Sequence, residues 1–108
     1  MVERRTDAVF EALSDPTRRA VVSRLSQGPA TPTDLAEGLP VSRQAVSKHL
    51  EVLREAGLVR GRREGREHRY SLTPEPLAEA VSWIAAVGGR WDERLEALRS
   101  QLASGDEG

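Results

Sequence analysis

The sequence predicts a mainly α-helical chain with one small β-hairpin, in the order helix, helix, helix, helix, strand, strand, helix. Three observations carry that prediction. Apolar residues recur at helical spacing in five segments, and capping or chain-breaking residues such as Asp15-Pro16, Gly28-Pro29 and Thr73-Pro74 separate them. Between Gly57 and Thr73 the pattern changes to short strand-like runs around a glycine.

From about Thr6 to Ser14, Val9, Phe10 and Leu13 stand at i, i+1 and i+4, the stripe of a short amphipathic helix. Asp15 then caps a second helix with Pro16 at its first position, running to about Gln27, with Ala20, Val21 and Leu25 inward and Arg18, Arg19 and Arg24 outward. A short third helix from Thr31 to Leu39 turns Leu35 and Leu39 to the core.

The fourth helix, about residues 42 to 56, is the most informative. Val46, Leu50 and Leu53 recur at i, i+4 and i+7, a buried stripe, while Arg43, Gln44, Ser47 and Lys48 populate the opposite face near the helix start. Ser42 is a good N-cap and Gly57 a natural terminator. Arg pairs bidentately with guanine and Gln with adenine, while Ser and Lys reach base edges or phosphates. Two helices joined by a short Gly-containing turn, the second polar at its N-terminal end, form a helix-turn-helix. Ser42 at the start of this helix and His49 at its edge complete the candidate contacts.

Leu58 to Arg63 and Glu67 to Leu72 read as two strands around Glu64-Gly65-Arg66, a hairpin whose tip is flanked by Arg62, Arg63 and Arg66. Appended to a helix-turn-helix, such a hairpin is a wing, and its arginines suit phosphates or a narrow minor groove. Charge that merely protects an exposed strand edge is the competing structural reading.

The last helix, about 74 to 102, carries Leu77, Val81, Ile84, Gly88, Trp91, Leu95, Leu98 and Leu102 at near-heptad spacing, a seam that needs a partner helix. Trp83 and Trp91 read as filler of that seam ahead of a ligand cavity. Gly88-Gly89 interrupts the seam, allowing a kink or a close crossing. Residues 1–102 are expected to form one domain and residues 103–108 a disordered tail.

The 108 residues carry a net charge of only −1, but the charge is divided unevenly. Residues 1–40 hold five Arg against six Asp/Glu, 41–70 hold eight Arg/Lys against four Glu, and 71–108 hold three Arg against seven Asp/Glu, giving −1, +4 and −4. Phosphate binding depends on the local basic surface, and the basic block coincides with the fourth helix and the hairpin.

There is no cysteine, and neither His49 nor His68 has a neighbour at metal-ligand spacing, so no metal, thiol chemistry or cofactor is expected. No catalytic constellation emerges, so an enzyme is not expected. No apolar run reaches a membrane span and residues 1–5 lack the apolar core of a secretory signal, so the expected location is cytoplasmic, with no membrane partner. Two functions fit: a homodimeric DNA-binding repressor, or a winged-helix adaptor that binds proteins and never touches DNA. Gathering arginine on the helix and hairpin favours the first.

The segments Phe10 to Arg19, Asp34-Leu35-Ala36, Val41 to Leu50, Leu53 to Val59 and Arg63 to Arg66 resemble the arsenic-repressor (ArsR) family of bacterial transcriptional regulators, over about residues 6 to 102. The resemblance implies a winged helix-turn-helix homodimer of the obligate type. Its first and last helices would form the interface, Val9, Phe10 and Leu13 joining Leu77, Val81, Ile84, Trp91, Leu95, Leu98 and Leu102. It implies an inverted-repeat operator in double-stranded DNA, read by Arg43, Gln44, Ser47 and Lys48. Thr33 would contact phosphate, with Arg63 and Arg66 serving the wing. Members usually repress their own operon and release DNA on binding an inducer. Metal-sensing members place cysteines near the start of the third helix, where this chain has Thr31 and Thr33, or histidines in the last helix, where it has none. The chain therefore looks like the metal-independent branch, and its inducer is not named by its residues.

Overall fold

The computed structural model describes residues 2–106. Its elements are α1 (Val2–Ala12), α2 (Pro16–Leu25), α3 (Pro32–Glu37), α4 (Arg43–Glu55), β1 (Val59–Glu64), β2 (Glu67–Leu72) and α5 (Pro74–Asp106). The order and number of elements match the sequence reading. The ends differ where backbone groups find partners that periodicity does not reveal.

α1 starts at Val2 rather than Thr6, and Arg5 lies 3.3 Å from the Glu79 carboxylate of α5. Its C-terminal carbonyls are taken by the following helix. Arg18 Nε donates to Ala12 O at 2.6 Å and Arg19 Nη1 to Leu13 O at 2.7 Å, so these two arginines are not simply outward-facing charges. They satisfy acceptors that a helix end otherwise leaves to water.

Caps define the other helices. The Asp15 carboxylate accepts from Arg18 N at 3.0 Å to open α2, with Pro16 at the first position. At α3, Thr31 and Asp34 form a reciprocal capping box, each side chain accepting from the other's backbone N–H at 3.1 Å. α3 ends at Glu37, two residues before the predicted Leu39, with Gly38 as its C-cap. At α4, Ser42 Oγ accepts from Ala45 N at 3.1 Å.

α4 closes in a Schellman motif. Leu58 N donates to Leu53 O and Gly57 N to Arg54 O, both at 2.9 Å, with Gly57 at φ +78° where a side chain would be strained. Leu53 and Leu58, both with no exposed surface, supply the hydrophobic contact that accompanies this motif.

β1 and β2 pair antiparallel from Val59↔Leu72 to Glu64↔Glu67, leaving a two-residue loop, Gly65-Arg66. Gly65 at φ +61° in the first loop position is the arrangement that matches strand twist. A bridge between Ala30 and Tyr70, with N–H···O bonds of 3.0 and 2.8 Å, ties β2 to the α2–α3 connection.

The core joins Val9, Val21, Leu25, Leu35, Val46, Leu50, Leu53, Leu58 and Val59, sealed by Ala80 at the base of α5. This corrects one expectation. Val9, assigned to a dimer interface, has 0% exposure inside the protomer, because α1 turns that side of its stripe onto α4 and α5. Leu77, Phe10 and Leu13 are also partly buried against this core.

Beyond Ala80, α5 leaves the body. Its 33 residues run unbroken through Gly88 and Gly89, and the molecule measures 74 × 32 × 20 Å. The helix continues to Asp106, so residues 103–106 of the expected tail are helical, while 107–108 lie outside the described residues. Among the described residues no helix is long and apolar enough to cross a membrane.

Candidate nucleic-acid interface

α4 presents its buried stripe to the core and leaves Ser42, Arg43, Gln44, Ser47 and Lys48 exposed. A full turn is about 3.6 residues, so Arg43 and Ser47 lie above one another with Gln44 and Lys48 beside them. These five occupy the end of the helix that Ser42 caps, where unpaired N–H groups and the helix dipole favour an anion. Thr33, exposed in the first turn of the adjoining α3, stands apart from that stripe on the preceding element.

His49 does not share the face. It is half-buried at the edge of the core, near enough to Asp15 for its charge to help lower that carboxyl. The main cause of the low Asp15 pKa is the backbone hydrogen bond from Arg18. The structure thus places His49 on the opposite flank of the stripe from Gln44 and Lys48, as its position five residues after Gln44 dictates on a helix of about 3.6 residues per turn.

The wing separates its arginines by face. Strand alternation puts Arg60, Arg62, Glu64, Glu67 and Arg69 on one side and Val59, Gly61, Arg63, His68 and Tyr70 on the other. Arg69 is held by Glu64 at 3.0 Å, which leaves Arg60 and Arg62 as the outer cations of β1. Arg63 Nε donates to Gly65 O at 3.4 Å, and Arg66 is exposed in the loop itself. Arg60 was absent from the sequence-derived set, although the alternation that places Arg62 outward places Arg60 there too.

Two more charged groups sit on the exposed side of α4 and were not read from the sequence as site residues. Glu51 and Arg54 form an ion pair on its C-terminal half, beside a cleft shared with Gly61, His68 and Tyr70. Their helical positions relative to Arg43 and Ser47 carried the signal. The Asp34 carboxyl is held below its ordinary value by the Thr31 backbone and then side-chain hydrogen bonds, with Arg69 and Arg24 adding attraction. That acid is therefore committed to capping α3.

A capped helix with an exposed polar N-terminal half, joined by a short turn to the helix before it and followed by an arginine-bearing hairpin, defines a winged helix-turn-helix DNA-binding protein. A helix-turn-helix domain model matches residues 13–62. The chain is 51% identical over 91 residues to the HTH-type transcriptional regulator Rv2034 of Mycobacterium tuberculosis, covering 80% of this chain and 85% of that one. It is 37% identical over 87 residues to the transcriptional repressor SdpR of Bacillus subtilis, covering 81% and 97%.

Among solved structures, an ArsR-like transcriptional regulator from Rhodococcus sp. RHA1 superimposes with a TM-score of 0.75 at 38% identity, over 91% of this chain and 92% of that one. The homodimeric winged helix-turn-helix domain of Mb0332 from Mycobacterium bovis gives a TM-score of 0.64 at 28% identity, over 86% and 83%. The chain belongs to the ArsR family of winged helix-turn-helix transcriptional regulators. It is a DNA-binding regulator and not an enzyme, and the adaptor alternative is not favoured.

Proposed function

We propose that the chain is a homodimeric repressor that binds an inverted-repeat operator in the cytoplasm and regulates its own or a neighbouring operon. The observation that carries this reading is the exposed run Ser42, Arg43, Gln44, Ser47 and Lys48 on the capped end of α4. Arg43 and Gln44 read base edges, and Ser47 and Lys48 read a base edge or the adjacent phosphate. Thr33, Arg62, Arg63 and Arg66 hold the backbone to either side and set register without reading sequence. Two copies pair through α5 and the outer side of α1, which supports an operator of two symmetric half-sites.

The apolar face of α5 supports the dimer. Val81, Ile84, Trp91, Leu95, Leu98 and Leu102 are 42 to 62% exposed in the single chain, a continuous seam of the kind that marks an interface. Trp83, 55% exposed and edge-on to Phe10 at 5.6 Å, extends that seam onto α1. It takes the place of Val9 among the interface residues.

The test is the affinity of wild type and of the Arg43→Ala, Gln44→Ala double variant for a duplex recovered by in vitro selection. Each lost base contact is expected to weaken binding by about 1–3 kcal/mol and relax the base preference. Arg66→Ala is expected to weaken all duplexes alike and lower the salt slope by about 0.9. Unchanged affinity and preference in the double variant would remove α4 as the reading element.

A further inference from the structure

The exposed side of α4 carries a charged pair that the DNA reading above does not use. Arg54 grips Glu51 through two contacts, its Nη2 donating to Oε1 and its Nε to Oε2 at 3.4 Å. Both side chains are 54% exposed. At about 3.6 residues per turn, Arg54 falls roughly 20° from the direction of Arg43, and Glu51 roughly 40° from that of Ser47. The pair therefore continues the groove-facing stripe along the C-terminal half of the helix.

The same pair forms one wall of a cleft of about 330 Å³ between α4 and the inner face of the wing, where Gly61, His68 and Tyr70 form the other wall. Gly61 packs close to the Tyr70 ring: a Cβ there would meet it at 3.1 Å, so the ring would have to shift by a few tenths of an ångström. Arg63 lies on the same strand face as His68, its cross-strand partner. Among the residues lining the cleft, Glu51 is the carboxylate beside Arg54 and His68, with Arg63 on the same strand face as His68.

A carboxylate facing a duplex is repelled by the backbone, and one group in the major groove compensates it best. Cytosine presents the N4 amino donor there with no adjacent acceptor, whereas adenine sets N7 beside its amino group. Arg54 keeps Glu51 ionised, its hydrogen bond being the main cause of a carboxyl pKa below the ordinary value.

We propose that Glu51 is a specificity-determining residue that accepts from the N4 amino group of a cytosine in each half-site, releasing Arg54 to a backbone phosphate seated in the cleft between α4 and the wing. Where another base stands at that position the pair stays closed. Arg54 is then withheld from phosphate and the carboxylate opposes binding. The inference rests on the DNA-binding reading and adds to it a base identity and a restraint on indiscriminate binding.

In vitro selection from a random-sequence duplex pool, followed by salt titration, tests it with wild type, Glu51→Ala, Glu51→Gln and Arg54→Ala. Wild type is expected to show a cytosine preference of about five-fold or more at one position of each half-site. Glu51→Ala loses that preference, binds random duplex several-fold more tightly and steepens its salt slope by about 0.9, one added phosphate contact. Glu51→Gln exchanges cytosine for adenine, a gain that an unfolded variant cannot produce. Arg54→Ala retains the cytosine preference while its slope on the selected duplex falls by about 0.9. Identical base preferences in wild type and both Glu51 variants, or unchanged salt slopes, would overturn the proposal. Failure of wild type itself to bind any duplex in a salt-dependent way would instead overturn the DNA-binding reading.

Discussion

Ser42 positions the reading face by fixing where α4 begins, since its Oγ accepts from Ala45 N and sets the phase of every residue after it. Ser42→Ala should destabilise the fold by about 1 kcal/mol, read from the midpoint of urea denaturation at unchanged slope. Asp15 acts the same way at α2 and Asp34 completes the box at α3 by accepting from Thr31 N, and both carboxyls are held below their ordinary value of 3.8, chiefly by backbone hydrogen bonds from Arg18 and Thr31 respectively. Their folded pKa values lie below the unfolded ones, so their stabilisation is complete above the unfolded value and is lost as pH falls through the folded values. Thermal melts should therefore show wild type losing stability below about pH 4, the unfolded carboxylate range. Asp15→Asn, which keeps the capping oxygen and removes the charge, should narrow the gap between neutral and acid melts. An unchanged gap would mean that Asp15 does not contribute to acid unfolding. The caps at Ser42 and Asp15 were legible in the sequence because each is a local relation between a side chain and a backbone three residues on, whereas the Thr31–Asp34 box was not read.

At the scale of elements, the periodic features were legible and the relations between segments were not. The 42–56 helix and its buried stripe were read from helical spacing bounded by Ser42 and Gly57, and the β2 strand from the change of pattern around Gly65, because each of these signals lies within one segment. The capping of α1 by Arg18 and Arg19 and the Ala30–Tyr70 bridge have no period, since each joins one segment to the backbone of another. Val9 failed for a related reason: a stripe shows that a face is buried, not whether the burying surface belongs to the same chain. His49, expected at the edge of the helix, is half-buried there, and its proximity to Asp15 joins two segments and has no period. Leu53, with no exposed surface, should cost about 2–5 kcal/mol on truncation to Ala, measured by chemical denaturation. α5 gives the opposite expectation. Leu98 is 51% exposed in the single chain, so Leu98→Glu should leave the protomer folded by circular dichroism yet sediment as a monomer, and Leu95→Glu should do the same. A dimer that survives both would place the interface elsewhere.

For the whole molecule, a net charge of −1 coexists with a +4 block over residues 41–70, the segment that holds α4 and the wing. In the proposed complex the α4 face and the wing arginines of that block meet the duplex, while α5, in the acidic segment, carries the exposed apolar seam. Operator affinity should accordingly fall steeply between low and physiological salt, with a slope near −0.9 for each phosphate neutralised, despite the nearly neutral total. In the proposed dimer, pairing through α5 also links the two α4 helices, so half-site spacing becomes a property of the dimer. The most direct test of the central claim, that α4 reads base edges in the major groove, is methylation protection of guanine N7 on the selected duplex. Protected guanines should appear in two clusters about 10–10.5 base pairs apart, or a multiple of that spacing, and should vanish with the Arg43→Ala, Gln44→Ala variant. A tightly bound duplex in which no major-groove guanine is protected would contradict it.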